Sequence, residues 1–215
     1  AAWKGFLQLL KRFRVRQPVN GVLVTFSVQE LLNSSNAERD ALAHTVGQRL
    51  AELCDELSIK FPVYVLITKT DLLAGFNEFF GSMNREERAQ VWGLTLPFNE
   101  GVKSQNAKSE FEPEFDALVQ QINRLLPQRL LSEVDQKRRG LIYALPQQFD
   151  GLRSVIGDTL NQVFSSSSFK EKPMLRGVYF TSGTQEGLPF DRVMTALSRR
   201  FDVQPASGFQ SAQAG

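Results

Sequence analysis

The chain has 215 residues, 42% hydrophobic, 10% aromatic and 22% charged, an ordinary globular composition long enough to bury a core. Its 25 Lys and Arg against 23 Asp and Glu leave a formal charge of +2, too small a surplus for a dedicated nucleic-acid binder. The single Cys54 and single His44 exclude a disulfide framework and an ordinary zinc site, make Ser-His-Asp catalysis a poor reading, and fit a reducing compartment.

No run of about 18 apolar residues is available to cross a membrane, and no signal peptide is read. The chain opens Ala1-Ala2-Trp3 without a methionine and enters a helical pattern at once, as expected of a piece of a longer protein. Trp3, Phe6, Leu7, Leu10 and Phe13 recur at helical spacing, which predicts an amphipathic helix over 2–13. The basic run Lys11, Arg12, Arg14, Arg16 reads first as cations complementing the helix dipole, with a phosphate or lipid site as the alternative. Residues 22–28 are β-rich and apolar on both faces, as in a buried parallel strand.

Ser35 followed by Glu38 forms a capping-box pattern, and Ala41, Leu42, Val46, Leu50, Leu53, Cys54 and Leu57 mark the face of a long helix. Cys54 on that stripe reads as an inert core thiol, and His44 off it as a solvated histidine. A second buried-type strand, Phe61 to Ile67, completes a βαβ unit, so the two strands should be parallel. Residues 72–165 read as almost wholly helical. In that stretch Asn84 to Glu87 opens a helix leading to Trp92, and 97–112 form an exposed loop. Pro113 sits in a first helical turn, Pro127 kinks or splits that helix, Lys137-Arg138-Arg139 is a solvated turn, and Pro146 opens the next helix. After a linker at Ser165 to Ser168, a third strand runs from Pro173 to Phe180. Pro189 starts a last helix through Phe201, and the remainder is a disordered tail or linker.

In open α/β sheets ligands bind beyond the carboxyl ends of the strands. Two polar motifs fall there: Thr68-Lys69-Thr70-Asp71 after the second strand and Thr181-Ser182-Gly183 after the third. The first has the form of the base-reading motif of GTPases, in which an aspartate accepts two N–H donors from the base and a lysine stem lies along its plane. The alternative is that Asp71 caps the next helix and Lys69 is solvated. No Gly-x-x-x-x-Gly-Lys-Ser/Thr loop and no Asp-x-x-Gly strand end occur, so the chain carries no groups to position phosphates or magnesium for hydrolysis. No catalytic residue and no metal ligand are assigned.

Several strings carry a family resemblance: Trp3-Lys4-Gly5-Phe6-Leu7, Pro18-Val19-Asn20-Gly21-Val22-Leu23-Val24, Phe61-Pro62-Val63-Tyr64-Val65-Leu66 running into Thr68-Lys69-Thr70-Asp71, and Gln90-Val91-Trp92-Gly93. Pro146-Gln147-Gln148-Phe149 and the long Leu175-Arg176-Gly177-Val178-Tyr179-Phe180-Thr181-Ser182-Gly183-Thr184-Gln185-Glu186-Gly187 complete the set. The chain resembles, over about residues 1–200, the cytoplasmic region of the IcmF-like (TssM) inner-membrane proteins of bacterial type VI secretion systems. The resemblance implies an α/β fold: the C-terminal part of a P-loop GTPase-like parallel sheet, three strands, with a large helical insertion. It implies a partial NTPase-like domain at 1–71 and 172–202, a helical insertion at 72–171, and a tail or linker at 203–215.

It further implies a place on the cytoplasmic face of the inner membrane, with TssL, TssJ and baseplate or sheath-associated components as partners. No nucleic-acid partner and no membrane insertion by this segment are expected. Thr68, Lys69, Asp71 and Ser182 are the nucleotide base-binding candidates; GTP or ATP with magnesium would belong to the intact domain, and no cofactor is expected for this fragment alone. Two functions follow: a scaffold and interaction module, or the base-reading half of a nucleotide switch. In either case the strand at 22–28 should present an edge that self-associates or is covered by the first helix.

Overall fold

The computed structural model describes residues 2–14, 16–83, 85–88, 90–97, 106–165 and 173–182. The chain divides into two compact units, 1–182 and 183–215, and every described residue belongs to the first. The expected final helix and tail, Ser166 to Ser168 of the expected linker, and residues 98–105 of the expected loop lie outside the described residues.

Helix α1 (Ala2–Phe13) leads into strand β1 (Val22–Ser27), the short helix α2 (Val28–Asn33) and the long helix α3 (Asn36–Leu57). Val28 thus begins a helix rather than ending the strand. Ser35 and Glu38 form the expected reciprocal cap: the Ser35 N–H donates to Glu38 Oε2 at 2.8 Å and the Glu38 N–H to Ser35 Oγ at 3.3 Å. Cys54 is buried on the inner face and His44 is exposed, as read. The first turns of α3 bury Ala43 and Gly47 rather than Ala41 and Leu42. A Cβ at Gly47 would stand 2.8 Å from the Val163 carbonyl oxygen, so α3 closes on its neighbour only with glycine there.

Strand β2 (Pro62–Thr68) is followed by a 3-10 turn (Thr70–Leu72), the short helices α4 (Phe76–Phe80) and α5 (Arg85–Arg88), and strand β3 (Gly93–Thr95). Helices α6 (Ala107–Ser132), α7 (Gln136–Asp150) and α8 (Leu152–Phe164) precede strand β4 (Met174–Phe180). The sheet order is β1-β2-β4-β3, with β1, β2 and β4 parallel and β3 antiparallel to β4. Val24 pairs with Val65, and Val65 with Val178, across the parallel core. Val63, Val65 and Ile67 are buried and the alternate residues half-buried, as a central strand covered on both faces requires.

Six expectations are corrected. The stretch 72–165 is not wholly helical: Trp92 lies beyond α5, and Gly93 to Thr95 form β3, a fourth strand. A Cβ at Gly93 would meet the Tyr179 ring and the Val178 oxygen at 2.5 Å, so glycine permits the pairing, and three residues with one apolar side chain gave no period to detect. Helix α6 starts at Ala107 inside the expected loop, because Asn106 supplies the cap to the Lys108 N–H at 2.9 Å. Pro113 therefore lies past the first turn. Pro127 does not split α6; both prolines sit on its exposed side, where water reaches the carbonyls they leave unpaired. Lys137 to Arg139 belong to the start of α7, capped by Asp135, and Pro146 lies within that helix.

Helix α1 buries Leu7 and packs chiefly on α3, and Leu23 of β1 remains exposed. On the other flank the helices meet the sheet through rings. The Phe149 ring lies 4.8 Å from Trp92, 4.8 Å from Phe115 and 4.9 Å from Phe180.

Candidate functional site

The chain leaves β2 at Thr68 and reverses at Lys69, whose φ of 58° places a non-glycine residue in the left-handed region. Thr70 holds that turn. It is fully buried, and its hydroxyl donates to the Thr181 carbonyl at 2.9 Å and lies 3.2 Å from that of Ile67. Its N–H donates to the Thr181 oxygen at 3.1 Å, and the Thr181 N–H returns to the Ile67 oxygen at 2.8 Å. The ends of β2 and β4 are thereby fastened by hydrogen bonds from the buried Thr70 that neither end forms alone.

This fastening sets the four candidates. Asp71, half-buried, accepts a hydrogen bond from the Ser182 hydroxyl at Oδ1, 3.0 Å. The two motifs, 111 residues apart in sequence, thus meet at side-chain level. Lys69 is exposed beside them. Thr68 turns toward β1, its hydroxyl donating to the Phe26 carbonyl at 3.3 Å. Asp71 does not cap the following helix: α4 has Gly75 at its N-cap and no side-chain cap. Gly183 of the second motif lies outside the described residues.

Sequence reasoning missed Thr70, the variable position of its motif, and Ser27. Ser27 ends β1 opposite Thr68, is 7% exposed, and its hydroxyl has no hydrogen-bond partner among the described residues. A hydroxyl in an otherwise apolar strand end was the available signal for it.

A second candidate surface lies among the helices. A groove of about 390 Å³ runs between α6 and α7, lined by Val119, Asn123 and Leu126 on one side and Tyr143, Pro146 and Gln147 on the other. Tyr143 is 69% exposed, and the α6–α7 turn carries Leu131 and Val134 at 85% and 94%. Ion pairs join the helices around this surface. Arg153 pairs with Asp116 and Asp150, and its guanidinium is held further into the charged form chiefly by the Asp150 hydrogen bond. Lys108 donates to Asp158 at 2.7 Å, which raises its ammonium pKa.

With its parallel α/β core and polar strand ends, the chain belongs to the IcmF-related family: the model of the IcmF-related N-terminal domain matches residues 1–215. It is 46% identical over 203 residues to the type VI secretion system component TssM1 of Pseudomonas aeruginosa, covering 94% of this chain and 18% of that protein. The chain therefore spans less than a fifth of its relative's length. No solved structure matches it. Among the described residues no helix is long and apolar enough to cross a membrane.

Proposed function

We propose that this chain is an interaction module of a type VI secretion apparatus, on the cytoplasmic face of the inner membrane, linking the membrane complex to baseplate or sheath-associated components. The identity to TssM1 across nearly the whole chain carries the secretion role. The exposed α6–α7 surface supports the scaffolding part, since an exposed tyrosine beside a groove of mixed polar and apolar lining is a common anchor for protein partners. TssL, TssJ and baseplate proteins are the partners to try. Titration calorimetry of their purified cytoplasmic portions into this chain should show binding that Tyr143→Ser weakens; heat from none of them removes the reading.

A second reading rests on the Asp71–Ser182 contact at adjoining parallel strand ends. In it β1, β2 and β4 are the last three strands of a P-loop GTPase-like sheet. Residues 1–71 and 172–202 form the nucleotide-domain part, and 72–171 are an insertion. Thr68, Lys69, Asp71 and Ser182 would then face the base of GTP or ATP, with phosphates and magnesium held by parts of the longer protein. Asp71→Ala in the full-length protein should abolish nucleotide binding or secretion; indifference to that change rejects this reading.

A further inference from the structure

Helix α1 carries a second apolar strip that the fold leaves largely exposed, with Phe6 alone stacked on Trp3 at 5.9 Å. Leu7 is buried, and Trp3 and Leu10 pack half-buried against the core, so the helix is seated on the body by that side. Lys11 fixes it there by donating to the Glu56 carbonyl at 2.9 Å. Phe6, Leu9 and Phe13, spaced to share the adjacent side, are 50%, 54% and 74% exposed.

The charge around this strip is one-sided. Lys4, Lys11, Arg12, Arg14 and Arg16 lie in a segment whose first acidic residue is Glu30. Beyond the segment acids outnumber bases, so the cations are concentrated at one end of a nearly neutral chain. All five are exposed. A carboxylate that faces Lys4 from a packed element is Glu52 of α3, whose pKa is lowered first by Arg49 and in small part by Lys4. The Arg12 guanidinium lies 5.8 Å from the Phe13 ring centre, a cation held beside an exposed aromatic face.

We propose that the outer face of α1 docks on a bilayer surface rich in anionic phospholipid, lying in the interface plane rather than crossing it. Two phenyl rings and a leucine reach the headgroup–acyl boundary while the long basic side chains extend to the phosphates. This is the chemistry of an interfacial amphipathic helix, whose binding is the sum of a shallow apolar contact and attraction to anionic lipid. A second copy of the chain fits less well, because it would bring the same cations together without an acid in the segment to meet them. The surface is independent of the α6–α7 groove and of the strand-end turn.

The test is flotation of the 215-residue chain with vesicles of phosphatidylcholine alone and of phosphatidylcholine mixed with phosphatidylglycerol, at physiological salt. The chain should float with the mixed vesicles and stay behind with the neutral ones. Arg12→Gln with Arg14→Gln removes two surface cations and should lower the partition coefficient roughly 30-fold. Phe6→Ser with Phe13→Ser should lower it roughly tenfold or more while circular dichroism stays unchanged. The arginine pair leaves every apolar contact intact, so it decides the matter if the phenylalanine pair disturbs folding. Equal flotation with both vesicle types, flotation with neither, or variants that float like the parent would overturn the proposal. So would concentration-dependent self-association through this strip without vesicle binding.

Discussion

At the carboxyl ends of β2 and β4 the contacts are polar and directional: the Thr70 hydroxyl and N–H, the Thr181 carbonyl, the Asp71 carboxylate and the Ser182 hydroxyl. Where α6 and α7 meet the sheet they are aromatic and close-packed, with Phe149 at the middle. The first region places chemical groups within ångströms of one another but commits Asp71 and Ser182 to each other. The second holds its helices firmly and leaves Tyr143, Leu131 and Val134 uncovered at its surface. The contrast teaches that the groups proposed to read a ligand and those proposed to hold a protein lie in different parts of one compact unit, so substitutions can address them separately.

The largest effect should come from the aromatic side. Phe149→Ala removes a fully buried ring and should cost about 3–5 kcal/mol in urea unfolding. A loss near 1 kcal/mol would show that the rings only fill space. Thr70→Val keeps the shape but removes the buried donor between two carbonyls, and should cost about 1–3 kcal/mol. Hydrogen exchange should then quicken at the Thr70 and Thr181 amides well before those of α7; uniform quickening would mean that the turn and the helices open together.

Ser35→Ala, outside both regions, should cost about 1 kcal/mol through the lost cap of α3. That cost depends on pH. The Ser35 N–H and hydroxyl hold the Glu38 carboxyl below its usual range, the backbone bond contributing more. Because the folded value is the lower one, this stabilisation is present above the unfolded carboxylate pKa and disappears as pH falls through the folded one. Ser35→Ala keeps the backbone N–H and loses only the hydroxyl share, so the gap between parent and variant in thermal midpoint should narrow slightly in acid. Smallest of all, Asp71→Asn should change stability by less than about 1 kcal/mol, since its partner Ser182 is exposed. A larger loss would make Asp71 a structural residue and weaken the ligand reading.

Much of this contrast was legible in the sequence. The three parallel strands announced themselves as short apolar runs, and the Ser35–Glu38 box and the buried Cys54 followed from spacing alone. The placement of Asp71 and Ser182 at strand ends followed from one topological rule; their hydrogen bond to each other is the structure's addition. What escaped detection has physical reasons. Strand β3 is three residues long and rests on the absence of a Cβ at Gly93, which leaves no pattern. Two prolines were over-read as helix starts: Pro113 and Pro146 lie inside helices because the caps Asn106 and Asp135 set the starts instead, while Pro127, read as a kink or split, leaves α6 unbroken. Thr70 was passed over because its burial depends on β4, more than 100 residues later, and nothing local marks it.

In the proposed scaffold, protein partners are held by the α6–α7 surface and not by the strand-end turn. The direct measurement is titration calorimetry of purified cytoplasmic type VI components into the parent chain, Tyr143→Ser and Asp71→Ala. The parent should bind, Tyr143→Ser should bind at least about tenfold more weakly, and Asp71→Ala should bind like the parent. Binding that ignores Tyr143 and is lost with Asp71→Ala would contradict it.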